Sequence, residues 1–496
     1  MKLSEVLAGV SLKRECFDPD LEVTALTCDS RTVRPGSLFA ALRGSETDGH
    51  RYISQALERG AGAVLCEERP AAPGPWLETE HSRSAFGQMA ANWFGRPGEG
   101  MKLIAVTGTN GKTTTSSLIR EMLESFPGTK VGLIGTNANR IGAEELPSSH
   151  TTPDSFCLQR LLRRMADNGC THAVMEVSSH ALTQCRTAGL TFDVGVFTNL
   201  TRDHLDYHRT MEEYRAAKGR LFAQCRCGVL NLDDEAGRWY RDRVRCPVFT
   251  YSESRMTADL TARNLRLFPG CVEFEALTLG RLSRVHLPIP GGFSVYNALA
   301  ALSAGLCLGL DLGEMARALR GVHGVKGRVE PVPVPREFTV LIDYAHTPNA
   351  LENILLTARS FTAGRLICLF GCGGNRDREK RPIMGEIARS LADVVVLTSD
   401  NPRNEPPEAI IRDIMAGTGP ECETLHVEPD RAAAIGWALS QGKKGDVIVL
   451  AGKGHETRQE INGVRYPMDE RKIVADWMKK ESVPAEKTGN PVAGIV

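Results

Sequence analysis

The sequence lacks a net charge and is poor in the residues that mark specialised classes of chain. Lysine and arginine together number 60, and so do aspartate and glutamate, so no basic excess attracts the chain to a phosphate backbone. The 48 glycines and 26 prolines together make up about 15% of the 496 residues, far below the roughly 25–30% of low-complexity chains. We therefore expect no nucleic-acid partner and no long disordered stretches.

Cysteine is also scarce. The 14 cysteines make up about 3% of the 496 residues, well below the roughly 8–10% of a disulfide scaffold. Cys225 and Cys227 stand too close for a usual zinc pair, and Cys372 is alone in a glycine-rich loop. Glu5 and Gly9 break the first apolar stretch, which removes the continuous core of a signal peptide. These features predict idle thiols in a reducing compartment, the cytoplasm.

One long segment, Val285 to Leu310, carries no charged residue. Prolines and glycines at 288–292 interrupt it and leave Ser294–Leu310 as its helical part. That part is shorter than the roughly 20 residues that a bilayer requires. We therefore expect a buried core helix and no membrane span.

The length and the alternation of apolar runs predict an α/β protein of three domains. At roughly 150 residues per domain, 496 residues make about three domains. We place them at 1–97, 98–327 and 328–496, with a linker at Arg96–Gly100. Short apolar strands alternate with helices, a pattern typical of right-handed crossovers and mostly parallel sheets. The tail from about 481 has no periodicity and is expected to fray.

The individual elements follow from these runs. Predicted strands are Ser37–Leu42, Ala63–Cys66, Lys102–Val106, Ala173–Val177, Val194–Thr198, Gly228–Leu232, Thr339–Ile342, Leu366–Phe370, Asp393–Thr398 and Asp446–Leu450. Predicted helices are Lys112–Ser125, Asn349–Ser360 and Arg381–Ala392.

A glycine-rich turn, Gly108 to Gly111, lies between a strand and a long helix. The glycines let backbone amides face phosphate oxygens, Lys112 supplies a positive charge, and Thr113 offers a hydroxyl to Mg²⁺. The pattern departs from the standard Walker form, because Val106 stands where glycine is usual. A purely structural helix cap is the alternative. The strand-to-helix context favours a phosphate-binding loop.

Polar clusters follow the next two predicted strands. Glu176 ends one strand, and His204 follows the other. Both are candidate Mg²⁺ ligands, although histidine is unusual for a cation that prefers oxygen. A lone acid or histidine at a strand end is often only a cap or a solvated turn. Lys218 shows no distinguishing spacing, so its pattern alone predicts a solvent-facing lysine.

Seven motifs follow one another along the chain. They are Thr107–Thr114, Glu176–His180, Asn199–Asp206, Tyr296–Ala298, Gly327–Arg328, Asp343–Pro348 and Ala451–Glu456. Together they resemble the Mur ligase family, the ATP-dependent amide-forming enzymes of peptidoglycan precursor synthesis. Asp29–Arg31, Pro35–Phe39 and Asp48–His50 look like the uridine-binding domain of its tripeptide-forming member. Asp400–Arg403 is similar to the signature of members that add meso-diaminopimelate.

The resemblance implies a uridine-binding N-terminal domain, a central ATPase domain with a parallel sheet, and a Rossmann-like C-terminal domain. It also implies that Lys218 is carbamylated to N6-carboxylysine and that Lys112, Lys218 and His204 are catalytic. Two Mg²⁺ ions would be held by Thr113, Glu176, His204 and carbamylated Lys218. ATP would be bound by Gly108, Thr109, Asn110, Gly111, Lys112, Thr113, Thr114, Asn297, Arg328, Asp343 and His346.

The implied substrates are small molecules. The UDP-muramoyl-dipeptide would contact Cys28, Ser30, Ser45, Glu46, Thr47, Asn110, Thr151, Thr152, Ser178, Gln184 and Arg186. Without the resemblance, Thr151 and Thr152 would suit a turn and helix cap before Pro153. The amino acid would contact Arg376, Asp400, Asn401, Pro402, Arg403, Gly452 and Glu456.

The amino-acid set carries the specificity prediction. Meso-diaminopimelate has a second carboxylate at its far end, where lysine has only an amine. Arg376 and Arg403 offer forked donors for carboxylates, and Glu456 can pair with an ammonium group. A buried salt bridge is the alternative role for Arg403.

Three other functions compete with this one. In the first, L-lysine replaces meso-diaminopimelate as the acceptor in the same reaction, a case that the Asp400–Arg403 motif argues against. A folylpolyglutamate-type ligase would share the phosphate loop but would not need the uridine-domain motifs. An ATP-gated binding protein would leave Lys218, His204 and Arg403 without a role. The chain is expected to act as a monomer.

Overall fold

The chain folds around three main β-sheets in a computed structural model, which describes residues 1–15, 18, 20–44, 47–70, 73–268, 270–420 and 422–482. Each sheet has its own apolar core, so the α/β class predicted from the sequence is confirmed. The boundaries at 97/98 and 327/328 stay predictions. The predicted frayed tail lies almost wholly outside the described residues.

The first sheet belongs to the N-terminal part of the chain. Its elements are α1 (Leu3–Val6), β1 (Arg14–Glu15), β2 (Ala25–Thr27), β3 (Ser37–Ala40), α2 (Ile53–Glu58), β4 (Ala63–Cys66), β5 (Trp76–Glu78) and α3 (Ser82–Trp93). The strand order is β1-β5-β4-β3-β2, parallel except for β1. Every residue of β3 and β4 is buried, as expected for strands covered on both faces.

The second sheet is the largest. Its elements are β6 (Lys102–Thr107), α4 (Lys112–Glu124), β7 (Val131–Ile134), β8 (Ala138–Ile141), β9 (Glu144–Pro147), α5 (Ser155–Asp167), β10 (His172–Glu176), α6 (Ser179–Thr183), β11 (Phe192–Phe197), α7 (Leu205–His208), α8 (Met211–Gly219), β12 (Cys225–Asn231), α9 (Glu235–Arg241), β13 (Val248–Ser252), β14 (Leu260–Leu267), β15 (Val272–Thr278), β16 (Arg281–Leu287), α10 (Gly292–Cys307) and α11 (Leu312–Ala318).

This sheet has the order β16-β15-β14-β13-β12-β11-β6-β10-β7-β8-β9. Its middle strands pair in parallel, which brings the ends of β6, β10 and β11 side by side at one edge. The strands at both ends, β15, β16, β8 and β9, pair antiparallel and were not predicted. The alternating burial of β15 is a signal that could have revealed it.

The third sheet belongs to the C-terminal part. Its elements, with a separate β23–β24 hairpin, are β17 (Glu330–Val332), β18 (Thr339–Asp343), α12 (Pro348–Arg359), β19 (Leu366–Phe370), α13 (Lys380–Leu391), β20 (Val394–Leu397), α14 (Pro407–Thr418), β21 (Leu425–Val427), α15 (Arg431–Gln441), β22 (Val447–Ala451), β23 (Arg458–Ile461), β24 (Val464–Pro467) and α16 (Glu470–Ser482). The order is β17-β18-β22-β19-β20-β21, parallel apart from β17. Polar loops therefore leave β19, β20 and β22 at one edge.

The apolar segment Val285–Leu310 divides between two elements. Its start completes β16, and α10 occupies Gly292–Cys307 within the central core. Over the residues that the structure describes, no helix combines the length and the apolar character needed to cross a membrane.

A buried ion pair fixes two strand ends of the third sheet. Arg431 and Glu470 are both fully buried at 2.8 Å. The Arg431 guanidinium also donates to the carbonyl oxygens of Ser399 and Ala451, at 3.0 and 2.7 Å. The pair therefore ties the loops after β20 and β22 to the start of α16.

Glu470→Gln is expected to lower the free energy of unfolding by about 3 kcal/mol, because it leaves a buried guanidinium without a counter-charge. Urea denaturation measures the change. Glu337→Gln is the matched control, since Glu337 pairs with Lys444 on the surface and its loss should hardly move the midpoint. Equal effects of the two substitutions would contradict the structural role of the buried pair.

Candidate active site

The loop between β6 and α4 has the backbone that a phosphate cradle needs. Gly108 has φ +152° and Gly111 has φ +83°, conformations that favour glycine. A Cβ at Gly108 would lie 1.8 Å from Thr198 Oγ1, and one at Gly111 would lie 2.6 Å from Asn297 Oδ1. Side chains are therefore excluded, and the amides at the start of α4 face an open cleft.

Lys112 begins α4 and folds over this loop. Its Nζ donates to the carbonyl oxygens of Gly108 and Thr109 at 3.0 and 2.9 Å. Burial lowers the pKa of the Lys112 ammonium, while the nearby carboxylates of Glu176 and Asp203 oppose that shift. The Lys112 ammonium therefore lies within reach of a phosphate bound to the loop amides.

The Glu176 carboxylate, at the end of β10, is 1% exposed. Thr113 Oγ1 donates to Glu176 Oε2 at 3.0 Å. Thr136 donates to the same carboxylate twice, through its amide and its hydroxyl, each at 2.9 Å. Thr136 is a site residue that the sequence did not reveal, because no motif marks it. The strand end therefore holds the Glu176 carboxylate and the Thr113 hydroxyl side by side.

Lys218 is buried, so the pattern-based prediction of a solvent-facing lysine is wrong. It is 1% exposed and shares the inner face of α8 with Tyr214 and Ala217. Its Nζ donates to Gly108 O at 2.8 Å and lies 4.5 Å from the centre of the Tyr214 ring. Burial, and secondarily Lys112, lower the pKa of Lys218 well below its usual value. The lowered pKa favours the neutral, nucleophilic form of the Lys218 amine.

His204 lies beside this group in a left-handed backbone conformation, with φ +53°. Its Nε2 is 3.4 Å from Asp203 Oδ2, and its ring centre is 4.9 Å from that of His180. Burial lowers the pKa of the imidazole, which leaves a nitrogen lone pair available. Within the described part of the chain, no group of three or more His, Cys, Asp or Glu side chains could hold a metal by itself.

Two cavities lie at the border between the second and third sheets. The first, of about 630 Å³, lies between the second and third sheets. Asn297, Arg328 and Asp343 of the predicted ATP set line it. Arg328 reaches across to Thr113 Oγ1 at 3.4 Å and stacks 4.7 Å above the Tyr344 ring. His346, predicted for the same set, lines the other cavity instead.

The second cavity, of about 740 Å³, brings together residues from distant parts of the sequence. One wall comes from the second sheet and carries the predicted dipeptide contacts Thr151, Thr152, Ser178 and Arg186. The other comes from the third sheet and carries the predicted amino-acid contacts Arg376, Asp400, Asn401, Arg403, Gly452 and Glu456. Gln184 supports the first wall, because its Oε1 accepts from Arg186 at 2.8 and 3.1 Å.

The third-sheet wall carries both signs of charge. Arg403 has φ +51° and donates from Nη1 to Gly374 O at 2.8 Å. Burial opposes ionisation of Asp400, but Lys453 and Arg431 outweigh it and hold the pKa of its carboxyl below the usual value. Asp400 Oδ2 is buried without a hydrogen-bond partner among the described residues. Asp400 Oδ2 is therefore available to accept a hydrogen bond from a cationic group of a ligand.

Lys453 is a second residue that the sequence did not single out. It is fully buried, and its Nζ donates to Asn401 Oδ1 at 3.0 Å and to Glu456 Oε2 at 2.8 Å. Asn401 Nδ2 donates to the same Glu456 oxygen at 2.9 Å. Lys453 therefore orients the two predicted amino-acid contacts. It lies within the motif Ala451–Glu456, which was the available signal.

The predicted uridine contacts lie apart from both cavities. Cys28 is exposed, and Ser30 donates from Oγ to Gln55 Oε1 at 2.8 Å. The Thr47 carbonyl accepts from the Gly44 amide at 2.8 Å. Ser45 and Glu46 lie outside the described residues. Asn110, by contrast, lies in the cleft and donates from Nδ2 to Asn349 Oδ1 of α12 at 3.2 Å.

His208 is buried next to the site, and its Nε2 lies 2.8 Å from Ser179 Oγ. Burial lowers the pKa of its imidazole to about 4, against about 6.5 in an unfolded chain. The unfolded chain therefore binds this proton first, and the folded state loses stability as pH falls from about 6.5 to about 4.

His208→Gln is expected to lose less stability than the unmodified protein between pH 7 and pH 5. Urea midpoints at the two pH values measure this. His323→Gln is the control, because His323 is exposed and its removal should leave the pH dependence unchanged. An unchanged dependence in His208→Gln would show that other groups cause it.

Family models match most of the chain. Residues 106–305 match the Mur ligase middle domain, and residues 327–454 match the Mur ligase glutamate ligase domain. Residues 22–93 match the Mur ligase family catalytic domain. The matched ranges include the phosphate loop, Lys218 and Arg403.

Curated relatives match over nearly their full length. A UDP-N-acetylmuramoyl-L-alanyl-D-glutamate--2,6-diaminopimelate ligase of Geobacillus thermodenitrificans is 44% identical over 468 residues, 92% of this chain and 95% of the relative. One of the same name from Clostridioides difficile is 40% identical over 485 residues, 97% and 100% of the two chains.

Solved structures show the same architecture. One titled as that ligase has a TM-score of 0.71 and 34% identity, covering 98% of this chain and 100% of its own. The MurF ligase of Thermotoga maritima in complex with ADP has a TM-score of 0.62 and 20% identity, covering 93% and 98%. The second likeness concerns the fold alone.

Proposed function

The chain belongs to the Mur ligase family, and from that premise we propose that it adds meso-diaminopimelate to UDP-N-acetylmuramoyl-L-alanyl-D-glutamate with cleavage of ATP to ADP and phosphate. The relatives at 40–44% identity are named as ligases of UDP-N-acetylmuramoyl-L-alanyl-D-glutamate and 2,6-diaminopimelate. It is an amide-forming ligase of peptidoglycan precursor synthesis.

The reaction has two steps. The γ-carboxylate of D-glutamate is a poor electrophile, so ATP first phosphorylates it. An amine of meso-diaminopimelate then attacks the acyl phosphate, forms the amide and releases phosphate. The phosphate loop and Lys112 hold the nucleotide, and Arg328 approaches it from the third sheet. Arg186, Thr152 and Ser178 lie where they can orient the dipeptide carboxylate between loop and amino acid.

Two Mg²⁺ ions fit the donor set. The Thr113 hydroxyl and the Glu176 carboxylate are hard oxygen ligands 3.0 Å apart. Carbamylated Lys218 would add further oxygens, and His204 a nitrogen, and the low pKa of Lys218 favours the neutral amine that reacts with carbon dioxide. When bound, the ions supply charge neutralisation for the transferring phosphoryl group.

The observation that carries the proposal is the shared second cavity. The predicted dipeptide contacts line the same cavity as a third-sheet wall that includes Arg376, Arg403, Asp400 and Glu456. Arg376 and Arg403 suit the carboxylates of the acceptor, and Asp400 and Glu456 suit its ammonium groups. L-lysine would leave part of this clamp unpaired, which costs binding free energy.

We also infer a monomer in the cytoplasm. The phosphate loop, Lys218 and the predicted amino-acid contacts all come from one chain. No second copy is therefore needed to complete the site. ATP and UDP-linked precursors are cytoplasmic substrates.

ADP release tests the proposal. The assay contains ATP, Mg²⁺ and UDP-N-acetylmuramoyl-L-alanyl-D-glutamate, with meso-diaminopimelate, L-lysine, L-glutamate or no acceptor. Release that depends on meso-diaminopimelate is the expected result. Equal release with L-lysine would retain the ligase and refute the specificity. Release without regard to any acceptor would favour an ATP-gated binding protein, and glutamate as the better acceptor would favour a folylpolyglutamate-type ligase.

A further inference from the structure

Two cysteine thiols are in contact where α10 packs against the second sheet, away from the site described above. Cys227 lies near the start of β12, and Cys307 lies in the last turn of α10. Their sulfur atoms are 3.2 Å apart, in hydrogen-bond contact. Elsewhere in the described chain, no other two cysteine sulfurs are in such contact. Both side chains are half-buried, so small solutes can reach them.

We propose that Cys227 and Cys307 form a reversible disulfide when a hydroperoxide oxidises the protein. A disulfide has an S–S length of about 2.05 Å, so the sulfurs must approach by only about 1.2 Å. The amides of Leu308, Gly309 and Leu310 hold the last turn of α10, so rotation of the two cysteine side chains must supply that movement.

The chemistry balances with one hydroperoxide. The Cys227 sulfur attacks the peroxide, the O–O bond breaks, and a sulfenic acid forms with release of water or an alcohol. The Cys307 sulfur then displaces the sulfenic oxygen, which leaves as water with the remaining thiol proton. The two thiols are oxidised by two electrons, and the peroxide is reduced.

The surroundings favour Cys227 as the attacking thiol. Contact with Cys307 holds the pKa of the Cys227 thiol below its usual value and raises that of Cys307. Cys225 is a poorer partner, because its Sγ donates to Leu221 O at 3.2 Å. Cys246 is the remaining neighbour, close to Gly228.

The bond would spare the catalytic cleft. Asn231, which lines the first cavity, lies four residues beyond Cys227, about 13 Å along the strand. Asn297 lies ten residues before Cys307, about 15 Å along the helix. The disulfide would join residues 80 positions apart and so constrain the unfolded chain strongly. We expect a more stable central region with unchanged catalysis.

Non-reducing peptide mapping tests this proposal directly. Trypsin cuts after Arg226, Arg238, Arg245 and Arg284, which puts Cys225, Cys227, Cys246 and Cys307 on four separate peptides. The full chain is treated with hydrogen peroxide, blocked with iodoacetamide and digested. One linked product, 227–238 with 285–317, is expected, and dithiothreitol should abolish it. Thermal unfolding of the oxidised protein should shift upward by at least about 5 °C.

Matched variants make the test specific. Cys227→Ser and Cys307→Ser should each abolish the linked product and the thermal shift, whereas Cys246→Ser should keep both. Reduced variants should unfold at the temperature of the reduced protein, and alanine substitutions repeat the test if serine perturbs folding. A link from 227–238 to 246–255, or irreversible oxidation of Cys227 alone, would overturn the proposal. So would loss of more than about half of the ADP release rate on oxidation.

Discussion

Lys218→Ala is expected to lower the rate of acceptor-dependent ADP release by about 10³-fold, while the protein stays folded. Lys218 is buried between the phosphate loop and Tyr214, and its amine is the group from which the carbamate would form. Alanine removes the oxygens that would complete the ligands around Mg²⁺. Small carboxylates such as formate and acetate should restore part of the rate, because they can enter the space and supply those oxygens.

Lys102→Ala is the matched control, because Lys102 is an exposed lysine of the same domain. It should leave the rate unchanged. Thermal unfolding of both variants separates catalysis from folding. The unmodified protein should also lose activity in buffer depleted of bicarbonate and recover it when bicarbonate is added. Turnover of Lys218→Ala at the normal rate would refute the carbamate role.

Much of the fold followed from local pattern. The strands β4 and β19 have the predicted bounds, and β6 differs by one residue, because buried parallel strands are short apolar runs with clear ends. The glycine-rich turn was recognisable for a similar reason, since its chemistry is contained in adjacent residues. The antiparallel strands β8 and β9 are only four residues long, and β9 is mostly exposed, which leaves little pattern to detect.

What the sequence could not supply is contact between distant residues. Lys218 differs from a surface lysine only through the inward face of α8. Thr136 acquires its role from Glu176, 40 residues later. The second cavity depends on the approach of two sheets, which no local pattern encodes. Family motifs pointed to many of these residues, but their geometry required the fold.

Arg403→Met is expected to reduce kcat/KM for meso-diaminopimelate by about 10³-fold, equivalent to about 4 kcal/mol. The reason is that a forked guanidinium binds a carboxylate through two charge-assisted hydrogen bonds, which methionine cannot replace. Since L-lysine has no second carboxylate, its much lower rate should hardly change, so discrimination between the two acceptors should collapse. Arg403→Lys keeps the charge without the fork and should recover only part of the loss.

The structural contact of Arg403 with Gly374 O requires a control, because the substitution could simply disturb the loop. KM for ATP and the thermal midpoint should therefore stay near their normal values. Arg412→Met, at an exposed position of α14, should change none of these quantities. If Arg403→Met lowers kcat/KM equally for both acceptors, the residue shapes the loop and does not bind the far carboxylate. Unequal loss, confined to meso-diaminopimelate, would establish that the acceptor is selected by its second carboxylate.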